Sequence, residues 1–169
     1  MVNRNLHRRA LLAGLAATAL APSSAHAEDY IDLEWEDLLP EIEATIPNAL
    51  RGVIEHENAP LASQQPASSG VRTEWNGQIV RLPGFIVPIE YRWSGVSAFI
   101  LVPYVGACLH VPPPPANQLV FVTTEIPYKN TGQFEAVNVT GMFGVSSVST
   151  QLAEIGYALS ADNIEPYSL

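Results

Sequence analysis

Short apolar stretches separated by turn residues fill the second half of the chain. Residues 135–144 alternate apolar and polar side chains with the period of two that is typical of a half-buried strand. Four further stretches are rich in β-branched and aromatic residues and end near glycine, proline or asparagine, namely residues 78–89, 97–102, 118–123 and 156–164. No strong amphipathic helix pattern accompanies them. The pattern therefore predicts a mainly β domain built from five short strands.

The first predicted strand has a Pro83-Gly84 pair near its middle. A glycine at this point lets the strand bend, as it must when a single strand serves both halves of a strongly curled sheet. Closure of the sheet into a barrel would also remove its exposed edges. We therefore predict a small five-stranded barrel of the oligonucleotide/oligosaccharide-binding (OB) type, with an SH3-like barrel as the alternative.

The first 27 residues have the three zones of a cleavable signal peptide. A basic start over residues 3–9 precedes an uncharged apolar run over residues 10–21, and Ala25-His26-Ala27 offers small residues at the positions that a signal peptidase reads. The apolar run is shorter than the ~20 residues that span a membrane. We expect a soluble periplasmic protein that begins at Glu28 and has no membrane span. The Arg8-Arg9 pair leaves the secretory and the twin-arginine export routes both open.

The remaining chain divides by composition. Residues 28–74 are predicted to form an acidic, irregular and partly helical N-terminal extension with an uncharged linker, and residues 75–169 form the barrel. Three of the eight Lys and Arg residues fall in the signal, whereas all 17 Asp and Glu residues follow it, so the mature chain has a formal charge of −12. Such a surface disfavours nucleic acid and anionic membranes and attracts cations and basic partners.

Residues 103–118 are the least ordinary stretch of the chain. Four consecutive prolines, residues 112–115, cannot pair in a sheet and favour a rigid polyproline II segment. Cys108, the single cysteine, lies two residues before His110. In an extended chain both side chains would point to the same side, where a thiolate and an imidazole can share one zinc or copper ion. His56, flanked by two glutamates, is the candidate that would complete such a site.

Two other interpretations of the Cys108–His110 pair stay open. In the first, Cys108 packs as a small hydrophobic residue and His110 bonds to a backbone carbonyl. In the second, Cys108 is the nucleophile of a thiol-dependent enzyme, which would need a base in hydrogen-bond contact and an oxyanion hole. The sequence has no phosphate-binding loop and no dinucleotide fingerprint.

Residues 101–118 closely resemble the signature of the DUF3299 family, whose members are exported bacterial proteins and lipoproteins without an assigned activity. Residues 35–40, 77–88 and 139–141 resemble further blocks of the family in the same order. The acylated cysteine of the lipoprotein members has no counterpart here, which favours a soluble protein. Carried onto this chain, the motif singles out Cys108, His110, Asn117 and Gln118, with Tyr104 and Gly106 in support.

The resemblance also implies partners. Such proteins often occur beside exporter-like ABC transporter components and periplasmic metal-binding proteins, which implies an envelope role connected with a metal such as zinc. We therefore expect a non-enzymatic periplasmic binding or accessory protein with a transition-metal site at Cys108 and His110. The alternatives are an interaction module without metal, which docks through the proline run and the acidic N-terminal segment, and a thiol-dependent enzyme.

Overall fold

The computed structural model describes residues 30–40, 64–92, 95–109 and 111–167. In these ranges the protein consists of strands and loops, with short 3₁₀ helices and no α-helix. The strands are β1 (Ile31–Asp32), β2 (Ile79–Arg92), β3 (Gly95–Val102), β4 (Val120–Tyr128), β5 (Ala136–Ser149) and β6 (Glu154–Pro166). Two 3₁₀ helices are Trp35–Leu38, in the N-terminal segment, and Ala116–Gln118, just before β4. Within the described ranges no helix is long and apolar enough to cross a membrane.

Strands β2 to β6 close into a barrel. Their order is β2-β3-β4-β6-β5, and β5 pairs back with β2. All neighbours are antiparallel except β4 and β6, which run parallel. A parallel contact between the third and fifth strands of the ring is the arrangement of an OB barrel, so the predicted fold is confirmed. Strand β1 lies outside the ring and pairs with β2 in parallel.

Strand β2 serves both halves of the barrel, as its proline-glycine pair predicted. Residues 79–85 pair with β5, whereas residues 85–92 pair with β3. The change of partner falls beside Gly84, where a Cβ atom would lie 2.8 Å from Leu101 Cγ and 3.0 Å from the Val102 carbonyl oxygen. The absence of a side chain at this bend therefore lets β3 approach β2 closely.

Strand β3 separates two apolar cores. Phe99 and Leu101 face the barrel interior, whereas Ile100 and Val102 belong to a second core on the outer face of the strand. All residues of β3 are buried, which explains why its sequence is continuously apolar and not alternating. The outer core is completed by residues from three loops and from strands β2, β4, β5 and β6, including Val87, Ala107, Cys108, Leu119, Phe121, Phe134 and Ile155.

The N-terminal segment, residues 30–40, packs against one end of the barrel. Leu33 and Leu38 are buried in the interior core. The Trp35 indole N–H donates to the Pro83 carbonyl oxygen at 2.8 Å, and the Tyr157 hydroxyl donates to the Leu38 carbonyl oxygen at 2.9 Å. This part of the predicted extension therefore contributes to the barrel core.

Two parts of the predicted organisation lie outside the described residues. These are the signal peptide, residues 1–27, and residues 41–63 of the N-terminal extension. The described end of the predicted linker, residues 64–70, has no regular secondary structure apart from a single 3₁₀ residue at Gln64. The division into an extension and a barrel domain at residue 74 stays a prediction.

Candidate functional site

The signature segment, residues 103–119, connects β3 to β4 and folds back over the outer face of β3. Gly106 has a φ of 93°, and its carbonyl oxygen accepts hydrogen bonds from the Leu109 and Val111 N–H groups, both at 3.3 Å. Ala107 forms an isolated bridge with Val111. These contacts form a tight turn that places Ala107 and Cys108 in the outer core.

The backbone at Cys108 is not extended. Its φ of 66° lies in the left-handed region, which residues other than glycine, asparagine and aspartate seldom adopt. The geometric argument that placed the Cys108 and His110 side chains on the same side of an extended chain therefore does not apply. His110 and His56 both lie outside the described residues.

The Cys108 side chain is buried in apolar surroundings. It is 2% exposed and packs in a cluster that includes Val87, Ile100 and Ala153. This burial raises the pKa of the Cys108 thiol to about 11. At neutral pH the group is therefore a thiol, whereas both nucleophilic attack and metal ligation need the thiolate.

The described residues contain no group of three or more His, Cys, Asp or Glu side chains that could hold a metal ion. Of the predicted set, Cys108 is the only member in those ranges, since His110 and His56 lie outside them. The metal site therefore stays a prediction.

The proline run packs against the barrel and is fixed by Gln65. Pro113 and Pro114 are buried. The Gln65 side-chain N–H₂ donates to the Pro114 carbonyl oxygen at 2.9 Å and to the Glu154 carbonyl oxygen at 2.8 Å. Its side-chain oxygen accepts from the Glu154 N–H at 2.8 Å, so a single amide joins the proline run to the start of β6. Sequence reasoning missed Gln65 because a glutamine in an uncharged linker gives no signal of its own.

Asn117 and Gln118 follow the prolines in the second 3₁₀ helix. Asn117 is fully buried. The Gln118 side-chain N–H₂ donates to the Trp35 carbonyl oxygen at 2.8 Å, which joins the signature segment to the N-terminal segment. A Cβ atom on Gly156 would lie 2.8 Å from the Ala116 carbonyl oxygen, so β6 also passes close to this helix. The Gln118 hydrogen bond therefore fixes the end of the segment to the N-terminal segment, and the Asn117 side chain is buried beside it.

Three large apolar side chains of the signature segment face solvent. Tyr104 is 43% exposed, Val105 61% and Val111 38%. Burial of the rest of the ring, and secondarily the nearby Cys108, raise the pKa of the Tyr104 hydroxyl. We call these three residues the signature surface. Sequence reasoning identified Tyr104 but not Val105 or Val111, since an apolar residue in a loop gives no sign of whether it faces solvent.

Two exposed carboxylates lie near the signature segment, and the described arginines are paired with acidic side chains. Arg72 contacts Glu74 at 2.8 Å, Arg81 contacts Asp32 at 2.6 Å and Arg92 contacts Glu90 at 3.1 Å. In contrast, Glu36 in the first 3₁₀ helix and Glu154 at the start of β6 are exposed, and no ion pair involves either of them among the described residues.

Comparison with known proteins gives a family and a related structure. Residues 35–166 match the DUF3299 family, described as proteins of unknown function. A crystal structure of a DUF3299 family protein from Pseudomonas aeruginosa is similar, with a TM-score of 0.70 and 35% sequence identity. The similarity covers 83% of this chain and 97% of that chain. No curated protein matches. The family match spans the N-terminal segment, the barrel and the signature segment, and this chain therefore belongs to the DUF3299 family.

Proposed function

We propose that this protein is an exported, periplasmic, non-enzymatic module that binds a protein of an envelope transport complex through the signature surface. The observation behind this proposal is the exposure of Tyr104, Val105 and Val111 on a segment whose other residues are largely buried. Exposed apolar side chains on a fixed loop are typical of protein-binding surfaces.

The anchoring of the segment favours such a role. Ala107 and Cys108 fix its first half in the outer core, and Gln65 and Gln118 fix its second half by side-chain hydrogen bonds. A loop held in this way loses little conformational entropy when a partner binds, so a small apolar surface can give useful affinity.

The position of the segment also favours a protein partner over a nucleic acid. OB domains bind oligonucleotides across the outer face of the second and third strands of the barrel, which are β3 and β4 here. In this protein the outer core covers the Ile100 and Val102 side chains on that face. A formal charge of −12 on the mature chain would in addition repel phosphate groups.

We assign docking to the apolar side chains and not to the prolines themselves. Pro113 and Pro114 face the protein, so a partner cannot read the proline run as a free polyproline II ligand. The run instead acts as a rigid spacer that sets the position of Val111 relative to the barrel.

The test is photo-crosslinking of the full-length protein in cells that export it. A photoreactive amino acid at position 105 is expected to give a specific adduct with another envelope protein, and the same group at the exposed Ile126 of β4 serves as the control. Adding Tyr104→Ala should reduce the adduct. Cys108→Ala should leave most of it, because the hydrogen bonds of Gln65 and Gln118 still hold the segment. An adduct that forms equally well from position 126 would contradict the proposal.

A second proposal is transition-metal handling, with zinc or copper bound by Cys108, His110 and His56 in association with an ABC transporter. The structure offers one supporting observation. The Trp35–Leu38 helix and Gln65, which precede and follow His56 in the sequence, both contact the signature segment.

Native mass spectrometry of the reduced mature protein with limiting zinc or copper tests the metal proposal. One ion held by the wild type and lost in Cys108→Ala would support it. Because the thiol must lose its proton first, occupancy should increase with pH. A wild-type protein that takes up neither ion would exclude this function and leave docking as the proposal.

A thiol-dependent enzyme has the least support. The Cys108 thiol has a raised pKa and a buried position, which are opposite to the environment of reactive cysteines.

A further inference from the structure

We infer that the partner of the signature surface is a protein with a basic, Lys- or Arg-rich rim around an apolar pocket. This inference rests on the proposed docking function and adds the chemistry of the partner. It follows from the positions of two exposed carboxylates, Glu154 and Glu36, beside the C-terminal half of the signature segment, and from the pairing of the described arginines with carboxylates.

Glu154 lies close to Pro114, in the C-terminal half of the proline run. Its backbone N–H and carbonyl groups bond to the Gln65 amide that also binds the Pro114 carbonyl oxygen. Its side chain is exposed and accepts a hydrogen bond from the Ser149 hydroxyl at 2.6 Å. Glu154 therefore places an exposed carboxylate beside the segment.

Glu36 lies beyond the C-terminal end of the run. It belongs to the 3₁₀ helix whose Trp35 carbonyl oxygen accepts from Gln118, and its side chain is exposed. At a polyproline rise of ~3.1 Å per residue, Val111 and Ala116 are separated by roughly 15 Å. A standard interface of about 800 Å² per partner is roughly 30 Å across, so one partner can cover the apolar residues and both carboxylates.

Charge complementarity selects the type of partner. Arg72, Arg81 and Arg92 each pair with a carboxylate of the same chain, which leaves the acidic residues dominant at the surface. A second copy of this chain would bring the same acidic surface and be repelled, as would an anionic membrane or a nucleic acid. A basic protein would instead gain both attraction and faster association.

The experiment begins with the protein crosslinked from position 105, identified by mass spectrometry and then purified. Its binding to the mature wild-type protein is measured by calorimetry at about 50 mM and about 300 mM salt, conditions that change the screening of surface charges. Two double variants with the same change in net charge are compared, Glu36→Lys/Glu154→Lys beside the signature segment and Glu125→Lys/Asp162→Lys towards the other ends of β4 and β6. Circular dichroism verifies that both fold.

The first double variant is expected to bind at least about tenfold more weakly, whereas the second should stay within about twofold of the wild type, because the decisive charges are local. Wild-type affinity should also decrease at high salt. If Val105→Asp abolishes binding but neither salt nor Glu36→Lys/Glu154→Lys changes it, the basic partner is excluded and the docking function stands. Adducts formed only with a second copy or with residues 41–63 of the same chain, or no adduct, would overturn both.

Discussion

At the scale of single residues, Cys108 combines two features with opposite effects on stability. Its left-handed backbone costs a non-glycine residue roughly 1–2 kcal/mol. Apolar contacts of its buried side chain in the cluster with Val87 and Ile100 offset part of this strain energy. Backbone preference, which would favour glycine or asparagine, therefore does not explain the presence of cysteine at this position.

The first prediction separates these two features. Cys108→Gly removes the backbone strain together with the side-chain contacts, so its free energy of unfolding should lie within about 1.5 kcal/mol of the wild type. Cys108→Val places a β-branched side chain on a left-handed backbone, a conformation that such residues avoid. Its free energy of unfolding should be at least ~2 kcal/mol lower than that of the glycine variant. Urea unfolding measures both values. A valine variant as stable as the glycine variant would show that the backbone at residue 108 is not held left-handed in solution.

The second prediction concerns the protonation of Cys108. Burial raises the pKa of its thiol from 9.0 to about 11, so the folded state favours the protonated form. The raised pKa therefore adds to the free energy of unfolding. This contribution is fully present below pH 9 and is lost as the pH rises from about 9 to about 11. Cys108→Ala should therefore lose less stability over this range than the wild type.

Alkylation provides a second readout of the same group. Iodoacetamide should modify the folded wild-type protein slowly at pH 7.5 and the urea-unfolded protein quickly, because the folded thiol is neutral and buried. Rapid stoichiometric modification of the folded protein would contradict the prediction and would support the hypothesis of a thiol-dependent enzyme. Burial, and then Glu135, also raise the pKa of Tyr128, to about 12. This shift is common to the wild type and Cys108→Ala, so it cancels when the pH dependence of their stabilities is compared.

At the scale of elements, the sequence pattern located the five barrel strands but made all of them shorter than they are, most of all at the C-terminal ends of β2, β4 and β5. β2 continues to Arg92, β4 to Tyr128 and β5 to Ser149. These strand ends are richer in exposed and polar residues, so neither alternation nor an apolar run marks them. The bend at Gly84 was predictable because it depends on a local glycine.

The candidate site was less predictable than the strands. The motif pointed to residues 103–118, in which six residues are buried, namely Gly106, Ala107, Cys108, Pro113, Pro114 and Asn117. Gln65, however, contacts Pro114 from a position 49 residues away, and Trp35 contacts Gln118 across 83 residues. Contacts between such distant positions depend on tertiary packing, which no local pattern encodes.

The third prediction concerns the hydroxyl of Tyr157 on β6. It donates to the Leu38 carbonyl oxygen and accepts from the Arg72 N–H at 2.7 Å, so it joins two N-terminal stretches to the barrel. Tyr157→Phe leaves both backbone groups without this partner and should cost roughly 1–3 kcal/mol of unfolding free energy. Tyr91→Phe, at an exposed position of β2, is the matched control and should change stability by less than about 0.5 kcal/mol. Equal effects would exclude the role assigned to Tyr157.

At the scale of the whole molecule, the N-terminal segment and the barrel share one core. Leu33 and Leu38 pack with barrel residues such as Leu82 and Phe143, although acidic residues surround them in the sequence. Strand β1 also continues the sheet beside β2, where Arg81 bonds to Asp32 at 2.6 Å. The described part of the N-terminal extension should therefore unfold together with the barrel.

The fourth prediction tests this cooperativity. Leu38→Ala removes a fully buried side chain and should lower the free energy of unfolding by roughly 2–4 kcal/mol, because the barrel core cannot easily close the cavity. The same loss should appear in far-ultraviolet circular dichroism, which reports mainly on the strands, and in tryptophan fluorescence, to which Trp35 contributes. Ile31→Ala, at an exposed position of β1, should cost much less. If the dichroism midpoint stays at its wild-type value while fluorescence alone shifts, the N-terminal segment unfolds independently, and it cannot hold the Gln118 end of the signature segment in place.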